Sequence, residues 1–239
     1  IIEKPVTLDA DEAAELFALA AERGLLAFVW HNRRFDADYR AVRQLIRERG
    51  AGELLRVENR TFSVQPALRF GTADFDPSWR ISSDMGGGTL WDFGPHWVDQ
   101  VLDLVPGTVV GVLAQVRNVK WGTAEDCYHI TMLFDSGVHA VASKIDIAHH
   151  GFPKWLIYGS EATIWSAAGV NSPVHWKSGE KEVVLEDPEP APDMLANVQA
   201  VIRDGAEPLI TPAQALRTAR ILDAARASAA QGRQIDVNI

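Results

Sequence analysis

The stretch Gly86-Gly87-Gly88-Thr89-Leu90-Trp91-Asp92-Phe93-Gly94-Pro95-His96-Trp97-Val98-Asp99 sets a carboxylate and an imidazole four residues apart, behind three glycines. A four-residue step puts Asp92 and His96 on one side of a helical turn, and Asp99 extends that side three residues later. Val98, Val101, Leu102 and Val105 recur at helical spacing on the other side, so one face reads as core and one as polar. The glycines, lacking side chains, let another group approach the backbone closely. Gly94-Pro95 either delays the regular helix or kinks it, because proline removes a donor and crowds the preceding turn. In isolation, the D-x-x-x-H spacing also fits a plain helix with a satisfied histidine and a capping aspartate.

The N-terminal residues change that balance. Ile1-Ile2 reads as the end of a buried strand running into Glu3-Lys4-Pro5. A lysine at the carboxyl end of an α/β strand lies where ligands of open parallel sheets bind, and the proline constrains the backbone and is compatible with a cis bond. A helix, a strand from Leu25 to Trp30, Asn32-Arg33-Arg34-Phe35, a helix from about Asp38 to Gly50, and a strand through Val57 follow. Beyond the glycine motif the pattern turns to alternating strands. Val110, Val112, Ala114 and Val116 share one face of a strand over 109–117, with Gln115 and Arg117 on the other. Asp135-Ser136-Gly137 joins a strand ending at Phe134 to one over 138–147 as an antiparallel hairpin. Shorter strands near Leu156 to Tyr158 and Thr163 to Trp165 flank a turn at Gly159 to Ala162. Thr211-Pro212-Ala213-Gln214 marks a helix start by N-cap, first-turn proline and capping box. Val198, Val201 and Ile202 form the stripe of the preceding helix, and Asp187 to Pro192 reads as an extended acidic connector.

In this order, E-K-P, the W-R pair Trp79-Arg80, the G-G-G-x-L-x-D-x-G-x-H-x-x-D run and the tail from Val201 to Pro208 resemble the glucose-fructose oxidoreductase and inositol dehydrogenase (Gfo/Idh/MocA) family. The resemblance covers nearly the whole chain. It departs in one respect: the opening strand, G-x-G-x-x-G turn and acidic ribose-binding residue of the family are not in this sequence. A start in mid-strand without methionine therefore reads as part of a longer protein. The resemblance implies an α/β (α+β) fold: residues 1–35 as the C-terminal remnant of a Rossmann domain, then 36–239 as a substrate-binding and oligomerisation domain. That domain is expected to be a large, mostly antiparallel sheet covered by helices on one face.

The resemblance also implies an NAD- or NADP-dependent oxidoreductase acting on a sugar or polyol. Its catalytic residues would be Lys4, Asp92 and His96, and its cofactor contacts Glu3, Lys4, Trp79 and Arg80. The chemistry agrees with those residue types. Alcohol oxidation needs a base for the hydroxyl proton while hydride leaves to the nicotinamide, and imidazole titrates near neutrality. An ammonium stabilises developing alkoxide charge. Asp92 would bind a neighbouring hydroxyl or orient His96. Trp79-Arg80 fits equally a cofactor contact and a surface pair, and Glu3 fits a strand-end surface charge. Arg33 and Arg34 are most simply a surface pair leading into a helix. Family members commonly associate through the open sheet face, here carrying Leu133, Val141 and Ile145, which implies a homodimer or homotetramer.

Composition narrows the alternatives. With 32 acidic against 23 basic residues and a net charge of -9, the chain does not suit a broad nucleic-acid surface or a polybasic membrane patch. The basic run from Arg40 to Arg49 reads as a solvated helical face. Cys127 as the single cysteine leaves no internal disulfide and suits a reducing compartment, with a buried structural thiol expected. Without a long apolar run or visible signal peptide, cytoplasm is the default location. No metal is expected. His149-His150 are read as a loop near a pocket rim, since side chains of adjacent residues in an extended segment diverge. His175 and Trp176 sit in a similar rim-like segment. A noncatalytic sugar-binding or assembly module is the main alternative, and a metal hydrolase using Asp92, His96 and His149 a more distant one.

Overall fold

The computed structural model describes residues 1–68, 75–186 and 188–239. Its centre is a nine-stranded sheet formed by β1 (Leu54–Phe62), β2 (Val109–Arg117), β3 (Cys127–Phe134), β4 (His139–Ile145), β5 (Trp155–Gly159), β6 (Thr163–Ser166), β7 (Val174–Ser178), β8 (Lys181–Leu185) and β9 (Ile235–Asp236). The order is β8-β7-β6-β5-β1-β4-β3-β2-β9. Only β1 and β4 run parallel; the remaining neighbours are antiparallel, as expected from the turn chemistry. The β3–β4 hairpin pairs Leu133 with His139 and Ile130 with Ala142.

Among the described residues, five α-helices accompany the sheet: α1 (Ala10–Glu22), α2 (Ala37–Arg49), α3 (Thr89–Leu104), α4 (Met194–Asp204) and α5 (Pro212–Gln231). Asp9 caps α1 and Thr211 caps α5 in a full capping box with Gln214, while Gly205 and Gly232 end α4 and α5 in the left-handed conformation. The main core joins α2, α3 and α5 to one sheet face through Tyr39, Trp97, Val101, Ile130, Trp155 and Ile221. A smaller cluster, Ala13, Phe17, Val29 and Ala215, ties α1 and the N-terminal residues to α5.

Several expectations change on folding. The anticipated strand over 25–30 is reduced to one parallel bridge between Ile2 and Val29, with Leu25 and Leu26 exposed, because a strand without flanking partners has few ladder bonds to make. The helix does not start late at Pro95: α3 begins at Thr89 and carries Pro95 inside. His175 and Trp176 belong to β7 rather than a rim loop. Trp176 is buried and donates from Nε1 to the Gly50 carbonyl at 2.7 Å, and His175 stacks on Trp165. Ile202 is exposed and leaves the α4 stripe to Met194 and Val198. Cys127 is half-buried at the start of β3. On the open face, Leu133 and Ile145 are partly covered, and Val141 is sealed between neighbouring strands.

The acidic connector includes Asp187, which lies outside the described residues. From Pro188 on it follows α2: Arg47 contacts Glu189 at 2.8 Å and Gln44 accepts from the Glu189 backbone at 2.9 Å. The basic face of α2 therefore meets this connector rather than only solvent. No helix among the described residues is long and apolar enough to cross a membrane.

Candidate functional site

The glycine run is shaped by contacts within the protein. A Cβ at Gly87 would stand 2.2 Å from the Trp79 carbonyl oxygen, and one at Gly88, whose φ is +110°, would stand 2.1 Å from Glu125 Oε1. Close approach at these glycines thus serves the 3-10 turn over Pro77–Ile81 and Glu125. Glu125 caps α3 twice: its carbonyl accepts from Thr89 N at 2.9 Å and its carboxylate from Leu90 N at 3.0 Å. Burial pushes that carboxyl up from its ordinary value. The first turn of α3 is consequently fixed on both sides.

Asp92 lies on that turn, buried between two cations. Lys4 Nζ contacts Asp92 Oδ1 at 3.0 Å and also donates to the Asp92 carbonyl, while Arg80 Nη1 binds Oδ2. The Lys4-Pro5 bond is cis. Arg80 also lies over the Trp79 ring, 4.7 Å from its centroid, so the W-R pair brings a guanidinium to Asp92 with the indole as its platform. Asp92 turns its carboxylate to Lys4 and Arg80 rather than to His96. Glu3, one residue before Lys4, is exposed.

His96, one turn after Asp92, is buried, and its Nδ1 is sealed without a hydrogen-bond partner. Burial holds its pKa well below the ordinary imidazole value, with the Lys4 charge adding in the same direction, so the ring is neutral near pH 7. The rings of Phe93 and Trp97 flank it, with centroids 6.3 and 6.0 Å from the imidazole. These two rings also form part of the wall of a cleft of about 340 Å³. Thr61, Ser63, Arg33 and Lys144 line the same cleft.

Asp99 completes the polar face of α3, with a different partner. Arg34 grips it in a bidentate pair, Nε to Oδ2 at 2.7 Å and Nη2 to Oδ1 at 2.8 Å, and reaches Asp103 at 3.2 Å. Arg34 is therefore a buried structural cation, contrary to the surface pair expected from its position. Arg33 remains partly exposed beside Asp36. His31, also buried, stands 4.0 Å from Asp99, and burial lowers its pKa.

Three further groups escaped the sequence reading. His31 follows the N-terminal strand pattern at its carboxyl end, a position that could have flagged it. Lys144 and Lys154 gave no such signal, being single lysines in strand and loop. Lys154 is fully buried, 2.7 Å from Asp38 and 4.6 Å from the Trp97 ring centroid. Lys144 pairs with Asp146 and donates to Ser63 Oγ at 3.1 Å, with its ammonium 4.6 Å from the Phe93 centroid. Burial lowers the pKa of both lysines, against the pull of their aspartates. His149 and His150 are exposed in a loop, and no group of three or more metal-ligating side chains occurs among the described residues.

Comparison with known proteins extends this picture. Residues 39–165, just over half of the chain, match the model described as the GFO/IDH/MocA C-terminal domain. Among curated relatives, the scyllo-inositol 2-dehydrogenase (NADP(+)) IolW of Bacillus subtilis is 30% identical over 166 residues, covering 68% of this chain and 43% of that protein. The uncharacterized oxidoreductase YdgJ of Escherichia coli is 27% identical, covering 68% of this chain and 45% of its own length. The chain thus spans less than half the length of these two relatives. Two solved structures share the fold. An NAD-binding protein from Listeria innocua superposes with a TM-score of 0.82 at 23% identity, covering 98% of this chain and 70% of that one. The aldose-aldose oxidoreductase from Caulobacter crescentus, complexed with glycerol, gives 0.80 at 20% identity, covering 98% and 71%.

Proposed function

Because this chain belongs to the GFO/IDH/MocA family of oxidoreductases, we propose that it forms the substrate-side part of an NAD(P)-dependent dehydrogenase or reductase. In that reading the reacting carbon carries a hydroxyl or carbonyl of a sugar or polyol. Residues 1–35 are the remnant of the cofactor domain, and 36–239 hold the substrate. One observation carries the reading: the Lys4 ammonium docks on the first turn of α3, on Asp92, one turn from a buried neutral His96.

A nicotinamide cofactor, when bound, supplies the hydride acceptor or donor. The residues at this end of the chain suit such a neighbour, since Lys4 and Arg80 together exceed the single Asp92 charge between them, and a cationic surplus favours an anionic cofactor. Glu3 and Trp79 flank the same cations and complete the proposed cofactor contacts. Lys4 holds the substrate oxygen and stabilises charge that develops on it. His96, kept neutral, takes the hydroxyl proton on oxidation and returns it on reduction. Asp92 fixes the Lys4 ammonium and offers a carboxylate oxygen to a neighbouring hydroxyl.

The test is turnover of the whole protein with a panel of sugars and polyols, followed by nicotinamide absorbance. His96→Ala is expected to lower kcat about 10²- to 10⁴-fold while leaving cofactor affinity within a few-fold, and Lys4→Ala is expected to lower kcat by a similar factor and to weaken cofactor binding as well. Unchanged turnover in both variants would remove the assignment. The noncatalytic alternative predicts ligand binding without turnover in the unaltered protein.

A further inference from the structure

The cleft beside Phe93 and Trp97 has an unusual balance of charge for this chain. The protein carries a net charge of -9, yet the described residues lining the cleft include two cations, Arg33 and Lys144, and no carboxylate. Its polar wall is also rich in donors. Lys144 spends one N–H on Asp146 and one on Ser63, leaving the third on the Phe93 side. Arg33 uses only Nη1, in long contacts of 3.3 and 3.5 Å to Asp36. Trp97 Nε1 and Thr61 Oγ1, both from cleft-lining residues, are buried without hydrogen-bond partners. An indole N–H can only donate, and a buried donor without an acceptor costs about 1–3 kcal/mol. A polyol hydroxyl accepts one such bond and brings a proton of its own to place, whereas an anionic group consists of acceptors only and can take the N–H groups that Lys144 and Arg33 keep beyond their aspartates.

Resting on the oxidoreductase reading above for what becomes of the bound molecule, we propose that the substrate is an anion. It is a sugar or polyol acid whose carboxylate or phosphate is held by Lys144 and Arg33, with its carbon skeleton against Phe93 and Trp97. Lys144 is then a specificity-determining residue. The Lys144–Asp146 pair fixes the ammonium, and the Phe93 ring sets the distance between the anion site and His96.

The experiment is calorimetric titration of the whole protein, at low salt and pH 7, with three probes: glucitol, gluconate and glucitol 6-phosphate. At least one of the two anions is expected to bind about tenfold or more tightly than glucitol, and to lose affinity with added salt. The better anion identifies the group as carboxylate or phosphate. Lys144→Met should bring that anion down to the glucitol level, and Lys144→Arg should keep part of the preference. If Lys144→Met fails to fold, Arg33→Gln, at a partly exposed position, decides the matter with an expected several-fold loss. Equal binding of all three probes, no detectable binding of either anion, or a preference that survives in both Lys144→Met and Arg33→Gln would overturn the proposal. These readings use no turnover. A lost anion preference with intact His96 dependence of turnover sinks only this proposal, and the reverse pattern sinks only the dehydrogenase assignment.

Discussion

Asp92 and Asp99 stand on the same helix face, both buried and both paired to cations, yet the two ends of that face are built differently. Asp99 is gripped by two parallel bonds from Arg34, with side-chain exposures of 2% and 7%. Asp92 is shared between Lys4 and Arg80, whose side chains keep 15% and 18% exposure. A bidentate, sealed pair fixes geometry, and its desolvation is offset only while both partners remain. A carboxylate divided between two reachable cations keeps a partner when either one is lost or engages a ligand. His96 lies between the two ends, so one end anchors the helix and the other is the end to which the proposed function assigns the ligand.

The largest effect should come from breaking the sealed end. Arg34→Met leaves Asp99 buried without its cation and is expected to cost about 3–5 kcal/mol in urea unfolding. Lys4→Met leaves Arg80 on Asp92 and should cost less than about 1 kcal/mol. Equal losses would erase the distinction between the two pairs. Gly88→Ala should cost about 1–3 kcal/mol, because a side chain there is strained at φ +110° and meets Glu125. Because the clash falls beside the first turn of α3, which carries Asp92, this variant should also lower turnover of the whole protein while the Arg34–Asp99 contact persists. Gly232→Ala is the control: it holds the left-handed conformation at φ +65°, nothing stands within 4 Å of the place a methyl would take, and the backbone cost is about 1–2 kcal/mol.

A more graded effect is a pH dependence. Burial lowers the folded-state pKa of both His31 and His96, while the unfolded chain titrates near 6.5. Below that value the unfolded chain holds protons that the folded chain does not, so stability falls with falling pH. The slope is at most about 1.4 kcal/mol per pH unit for each histidine. His96→Gln should reduce the slope between pH 6.5 and 5.5 by one histidine's share. An unchanged slope would mean that the imidazole is not held neutral. On the proposed assignment, the same shift should keep the acid limb of the whole protein's turnover below the ordinary imidazole range.

Local patterns in the sequence carried much of this. Period-two alternation placed Val110, Val112 and Ala114 together, and the capping box over 211–214 marked the start of α5. The D-x-x-x-H spacing put Asp92 and His96 on one helix face. The strand over 25–30 misled because apolar residues favour a strand only where neighbours exist to pair with, and Arg34 misled because an arginine pair after a strand end is usually solvated.

By itself, then, the sequence determined the helix that carries Asp92 and His96, the hairpins of the sheet and the family resemblance, because periodicity and capping depend on residues a few positions apart. Only the tertiary structure decided which charges meet. Lys4 reaches Asp92 across 88 residues, Arg34 seals Asp99 across 65, and Lys144 turns to the Phe93 ring. A buried charge is tolerated only where a distant chain segment supplies its partner, and that pairing is a property of the packed fold.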